Sequence, residues 1–316
     1  MKFSTMATTR RFVLMFAAAV PFAARAATSL RIGYQKNGAL VILREQRRLD
    51  PLGLNIEWVE FASGPPILEA LNAGAIDFAA TGDTSPIFAQ AAGADLLYVG
   101  GQPITGTNEA ILVAQDSPIR LLADLRGRRI AYTKGSSAHN FVVKALGSVG
   151  MKPADVQSVF LQPPDAGAAF RNHSVDAWAI WDPFYAIAQL EPGTRVLTTA
   201  EGVAPSNSFF LARRVYADQQ PAVILAVFDA INGAAQWARE HPEDLSRVMT
   251  EVTGVPIAAQ RVAAPRGVYA VQPMDDAIIA QQQAIADSFF ELHIIPSRIQ
   301  VRAAVWTPLR KTTGAR

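Results

Sequence analysis

IDFAATGDTSPIFAQAAGADLLYVG, residues 76–100, is the stretch that decides the fold. Ile76–Thr81 is a short apolar run, Thr84–Ala92 has the length of a helix and is closed by Gly93, and Leu96–Gly100 is apolar again. Strand, helix and strand at this spacing predict a parallel βαβ unit of a doubly wound sheet. A glycine just past the helix suits the left-handed residue that ends one.

The same alternation extends in both directions. Toward the start, Leu30–Tyr34 and Leu54–Phe61 read as strands, Ala39–Arg48 as an amphipathic helix, and Pro65–Asn72 as a helix stopping at Ala73-Gly74. Toward the end, Glu109–Ala114 continues the pattern and Asp116-Ser117-Pro118 punctuates it. A second series follows: helices over Leu121–Leu125, Asn140–Val149 and Ala166–Arg171, with strands over Arg129–Thr133, Val156–Leu161 and Ala177–Trp181. Val196–Thr199 and Phe209–Ala212 read as further strands. Beyond Ala222 the period becomes helical, with Val223, Val227, Ile231 and Ala234 on one face. Asp275–Leu292 is a second long helix opening on an acidic pair, which suits a helix N-terminus. No internal repeat stands out. This order predicts one α/β lobe inserted in another: residues 27–114 and 209–316 form lobe one, and 115–208 form lobe two. Two chain crossings then act as a hinge, and the cleft between the lobes is the expected ligand site.

Residues 1–26 read as a cleavable export signal. Lys2, Arg10 and Arg11 precede a mostly apolar run, too short for a spanning helix of ~20 residues, which ends in Ala24-Arg25-Ala26. The pair Arg10-Arg11 is compatible with twin-arginine export. Removal of this segment takes four of 29 basic residues and none of 27 acidic ones, so the formal charge moves from +2 to −2. The basic balance then disappears, and with it the compositional case for a nucleic-acid partner. The chain has no cysteine, which excludes disulfides, thiolate metal sites, a cysteine nucleophile and a lipidated cysteine anchor. A soluble, untethered periplasmic monomer is expected.

Two strand-to-helix turns carry the chemistry. In Thr133-Lys134-Gly135-Ser136-Ser137-Ala138-His139-Asn140, a strand ends in Gly-Ser-Ser and a helix begins. Free N–H groups of the first helical turn, with the serine hydroxyls, make a site for an oxyanion; the alternative is an ordinary N-cap at Ser136 or Ser137. Thr81-Gly82-Asp83-Thr84-Ser85-Pro86 is a turn of the same kind on lobe one. There Gly82 permits close backbone approach, and Asp83 either caps the helix or meets a ligand. Gln35 ends the first strand, where doubly wound sheets bind ligands, and its amide is either a neutral donor or a solvated loop group. Trp181 and Asp182 end the strand Ala177–Trp181; one indole of Trp178 and Trp181 walls the cleft, and Asp182 caps the next helix or holds a cation. No catalytic constellation accompanies these turns. His139, His173, His241 and His293 are scattered without metal-ligand spacing, and no nucleophile elbow, Walker loop or dinucleotide fingerprint occurs. Neither a metal nor a cofactor is expected.

Taken in order, these residues resemble the periplasmic aliphatic-sulfonate-binding proteins, within the wider sulfonate, taurine and nitrate group. The resemblance runs from about Leu30 to Trp306. It is carried by Leu30-Arg31-Ile32-Gly33-Tyr34-Gln35-Lys36, Thr81-Gly82-Asp83 with Pro86 to Asp95, Lys134-Gly135-Ser136-Ser137 with His139-Asn140, and Asp176 to Pro183. It implies a type II periplasmic binding fold, two α/β lobes with a two-strand hinge that close on the ligand. It also implies delivery of a small alkanesulfonate anion to a membrane permease driven by an ATPase, for sulfur uptake. The ligand contacts it implies are Gln35, Gly82, Asp83, Ser136, Ser137 and His139, with Trp181 and Asp182. Taurine or nitrate are the alternatives within that class, Asp83 being an acceptor for an ammonium. Desulfinases share the fold but rely on a cysteine nucleophile. Residues 101–108 depart from the family pattern and residues 205–208 are not diagnostic of it; both are expected near the cleft.

Overall fold

A computed structural model gives the fold of residues 28–308, and the leader expected over residues 1–26 lies outside the described residues. The chain begins with β1 (Ser29–Tyr34), α1 (Ala39–Glu45), β2 (Asn55–Glu60), α2 (Gly64–Asn72), β3 (Phe78–Thr81), α3 (Thr84–Ala91) and β4 (Leu96–Ile104). It crosses into a second body through β5 (Glu109–Ala114), β6 (Arg129–Tyr132), α4 (Ser137–Gly147), β7 (Gln157–Phe160), α5 (Pro163–Arg171), β8 (Ala177–Trp181), α6 (Phe184–Leu190) and β9 (Thr194–Thr199). It returns by β10 (Ser206–Arg213), followed by α7 (Arg214–Gln219), α8 (Pro221–Glu240), α9 (Pro242–Thr253), α10 (Ile257–Ala263) and α11 (Asp276–Glu291).

Two five-stranded sheets result, ordered β2-β1-β3-β10-β4 and β7-β6-β8-β5-β9. The expected two-lobed α/β architecture is present, with two differences in detail. First, β3 and β4 run in the same direction but are not neighbours, because β10 lies antiparallel between them. Residues 76–100 therefore form a split unit. Second, β5 was expected in lobe one but pairs with β8 and β9 of the second sheet. We therefore place the two crossings at residues 105–108 and 200–205. At Gly106 (φ 80°) a Cβ would stand 2.7 Å from the Ala200 carbonyl carbon, so the crossings touch backbone to backbone and tolerate no side chain there.

Sheet one is covered on both faces, as strands with near-continuous apolar runs require. Val41 and Ile42 of α1 with Ile224, Val227 and Ile231 of α8 pack one face. Ile67 and Leu71 of α2, Ile87 of α3 and Ile285 and Phe289 of α11 pack the other. Ile224, Val227 and Ile231 are fully buried, each contributing about 1.5–3 kcal/mol. Of the face expected on α8, Val227, Ile231 and Ala234 are buried and Val223 is partly so, with Ile224 taking its place in the core. Asp275 caps α11 by accepting from the Ile278 amide at 2.8 Å.

Each lobe repeats one polar device. In lobe one the Asp77 carboxylate bridges the Arg31 amide and guanidinium, and in lobe two Asp176 does the same for Arg129. Each clamp fixes the start of the first central strand, β1 or β6, against the residue just before β3 or β8. No described helix is long and apolar enough to cross a membrane.

Candidate functional site

The lobes meet with their ligand-competent edges facing each other. Doubly wound sheets expose free loop backbone at the carboxyl ends of parallel strands. Here those ends are Gln35 after β1, Gly82 after β3 and Gly135-Ser136 after β6. β5 is antiparallel to its neighbours, so its first residue, Glu109, reaches the same edge, opposite Trp181 at the end of β8. The cleft between them has an empty volume of about 760 Å³ and is lined by Gln35, Gly82, Gln102, Asn108, Glu109, Ser136, Ser137 and Trp181, among others. Among the described residues no lysine, arginine or histidine lines it, and Glu109 is its one ionisable wall residue. A bound anion would be held by dipoles and neutral donors.

The two helix starts were expected to be either caps or anion sites. Ser136 occupies the N-cap position of α4 with extended backbone (φ −93°, ψ 172°), yet no side chain caps this helix. Its hydroxyl instead donates to the Thr133 carbonyl at 2.7 Å, and the Ser137 hydroxyl donates to Glu109 Oε1 at 2.8 Å. The amides of Ser137 and Ala138, first in the helix, lack intrahelical acceptors. Ser136 and Ser137 line the cleft, so the helix dipole and the open N–H groups of that first turn favour negative charge there. Across the gap Gly82 is so close that a Cβ on it would stand 2.9 Å from the Ser137 Cβ.

Gln35, Gly82, Ser136, Ser137 and Trp181 thus converge on the cleft, whereas Asp83 and His139 are placed behind it and Asp182 beside it. Asp83 is fully buried; its carboxylate accepts from Asn140 Nδ2 of lobe two at 2.7 Å and from the Thr84 hydroxyl at 2.8 Å. Burial pushes its carboxyl up to about 6. His139 faces the lobe interface among Phe88 and Phe289 of lobe one and Tyr132 and Phe160 of its own. Its Nδ1 accepts the Gly135 amide at 3.2 Å. Burial, with a smaller push from Lys134, holds its imidazole down at about 4, so it is neutral. It braces the Gly-Ser-Ser turn from behind. Asp182 belongs to an adjoining pocket and pairs with Arg266 at 3.5 Å. Burial raises its carboxyl to about 6 against that partner.

Sequence reasoning missed Glu109 and Ser85, whose hydroxyl donates to the Gly135 carbonyl across the lobes at 2.8 Å, and it named neither Gln102 nor Asn108 within the stretch 101–108. For Glu109 a signal existed, a charged residue opening the apolar strand Glu109–Ala114. The adjoining pocket shares Asn37, Gly38, Gln102, Ile104, Asn108 and Ser208 with the cleft and adds Met249, Ala263, Val268 and Tyr269. A polar head site therefore opens into a more apolar annex. Asp182 lines this annex, and its partner Arg266 stacks 4.3 Å above the Tyr185 ring of α6.

The NMT1/THI5-like family model matches residues 51–245 of the chain. A relative from Escherichia coli (strain K12), described as an aliphatic sulfonates-binding protein, is 42% identical over 286 residues, covering 89% of each protein. The crystal structure of the periplasmic aliphatic sulphonate binding protein SsuA from Escherichia coli superposes with a TM-score of 0.82 at 41% identity, over 90% of this chain and 93% of that one. SsuA from Xanthomonas axonopodis pv. citri, an alkanesulfonate-binding protein bound to MOPS, gives 0.86 at 41% identity, over 90% and 99%. The chain therefore belongs to the NMT1/THI5-like family and, within it, to the periplasmic aliphatic-sulfonate-binding proteins.

Proposed function

We propose that this protein captures aliphatic sulfonates in the periplasm and delivers them to an ABC permease and its ATPase. The observation that carries this reading is the uncapped start of α4, facing Gly82 across a cleft whose walls, among the described residues, hold no cation. A sulfonate stays ionised and donates no proton, so it needs only donors, and neutral ones avoid the cost of burying a full charge on the protein. Open amides at Ser137 and Ala138, with Gln35, Gln102 and Asn108, supply such donors. The annex toward Ile104 and Tyr269 leaves room for an alkyl tail. We read Gln35, Gly82, Ser136, Ser137 and Trp181 as contacts, Asp83 and His139 as supports of the two turns, and Asp182 as a group of the annex. The protein is taken to work as an exported monomer without a lipid anchor, entering the periplasm by its N-terminal signal.

Calorimetric titration with alkanesulfonates of increasing chain length, taurine, sulfate and nitrate tests this reading. The expected result is one-to-one binding of alkanesulfonates, tightening with chain length until the annex is full, and weaker binding of inorganic anions. Heat from sulfate or nitrate alone, or from none of the series, would sink it.

A further inference from the structure

Glu109 is an anomaly in an anion site. It is 4% exposed, and among the described residues it has no cationic partner. Its one side-chain hydrogen bond is accepted at Oε1 from Ser137, the residue that also opens α4 toward the cleft. Charged groups stand on several elements around it: Asp83 at the start of α3, Lys36 after β1, Lys134 and His139 around the start of α4, and Asp182 and Arg266 beyond β8. Of these, Asp83 alone acts on Glu109, and its sign is the same. The cations are engaged elsewhere. Lys36 pairs with Glu60, Lys134 lies over the Phe160 ring, and Arg266 pairs with Asp182. An ionised Glu109 would therefore face a second carboxylate and then a bound sulfonate, in a closed cleft with no compensating charge.

We propose that Glu109 is a neutral carboxylic acid in the complex, donating its Oε2 proton to a sulfonate oxygen, so that anion capture is coupled to proton uptake. The arrangement balances: Oε1 accepts from Ser137, Oε2 carries a proton taken from solvent, and that proton is shared with the anion without leaving the glutamate. An ionised carboxylate is acceptor-only and would repel the ligand, whereas the acid adds a donor beside the α4 amides. Burial, reinforced by Asp83, already holds the Glu109 carboxyl up at about 8. The sign follows. A ligand that binds only the protonated form loses affinity as pH rises above the free-protein value, about tenfold per unit. Asp83 titrates lower, up to about 6, and so leaves the range above pH 7 to Glu109.

This inference rests on the sulfonate reading, and the test separates the two. Ethanesulfonate, ionised throughout, is titrated between pH 7 and 9, in pairs of buffers with different ionisation enthalpies. The wild type is expected to lose about tenfold in affinity over this range and to take up close to one proton per anion at the upper end. Glu109→Gln, which keeps the shape and a neutral donor, should flatten the profile to less than about twofold and abolish proton uptake. Tight binding with a flat wild-type profile and no proton uptake would overturn the proposal and leave the sulfonate reading intact. So would taurine binding that strengthens with pH and is lost in Glu109→Gln, which would make the residue an ionised partner for an ammonium. No ethanesulfonate binding at any pH would overturn both. The wild-type proton count needs no variant, so a misfolded Glu109→Gln protein would not mask the answer.

Discussion

Gly82→Val is expected to weaken alkanesulfonate binding by about 2 kcal/mol, roughly thirtyfold, with little change in melting temperature in the absence of ligand. Gly82 is not among the residues with positive φ, so valine meets no backbone strain at that position. The obstacle lies on the other lobe: a Cβ would sit 2.9 Å from the Ser137 Cβ, 3.3 Å from its hydroxyl and 3.7 Å from its Cα. Only the last of these is an ordinary contact distance. The start of α4 does not yield as the end of a flexible side chain would. The cost therefore falls on closure, and an open protein avoids it. Calorimetry against ethanesulfonate, with a thermal melt of the unliganded variant, checks both halves. Wild-type affinity would show that closure does not bring Gly82 and Ser137 together.

The second large effect is on stability. Asp77→Ala is expected to destabilise the protein by about 2–3 kcal/mol. The Asp77 side chain is 3% exposed and accepts from Arg31 at 2.8 Å and Arg213 at 2.9 Å. It thereby ties the start of β1 to the end of β10, the strand that returns from lobe two. The two arginines are about one-third exposed, so water recovers part of their charge and keeps the loss below that of a fully buried network. Asp176→Ala is the internal comparison. That carboxylate is 27% exposed and has one arginine partner, so its loss should cost about 1 kcal/mol. For Asp77, burial pushes the carboxyl up, but hydrogen bonds and charge from Arg31, with help from Arg213, hold it below its ordinary value. A depressed carboxyl contributes stability above the unfolded value of ~4, and this is lost as pH falls through the folded value. The Asp77→Ala deficit, read by urea unfolding, should be full at pH 7 and shrink below pH 4. A deficit independent of pH would mean that packing rather than charge holds this corner.

Much of the cleft was legible in the sequence because its turns are local. Thr81-Gly82 and Gly135-Ser136-Ser137 each join a strand to a helix, and glycine with small hydroxyl residues marks such a junction wherever it occurs. That the two turns face each other followed from the inserted-lobe order. The insertion of β10 between β3 and β4 had no local mark, since pairing across more than a hundred residues leaves no trace in either segment's own pattern. The placement of β5 failed for the same reason: an apolar run shows that it is buried, not in which sheet. The inward directions of Asp83 and His139 were not legible, because position in a motif does not set side-chain direction. One residue beyond Gly82, the Asp83 carboxylate already turns toward Asn140. His139, two residues past Ser137, falls on the face of α4 that packs against Phe88 and Phe289. The paired clamps Arg31–Asp77 and Arg129–Asp176 amount to a structural repeat. It escaped notice because each copy consists of two residues separated by a helix, a strand and a second helix.

The central claim is that the facing turns hold the sulfonate head and the annex holds its tail. A crystal structure of the complex with ethanesulfonate tests it most directly. The account predicts the sulfonate oxygens within hydrogen-bond distance of the Ser137 and Ala138 amides, against Gly82, with the ethyl group directed toward Ile104 and Tyr269. A sulfonate seated away from the start of α4, or reversed with its head beside Lys36 in the annex, would contradict it.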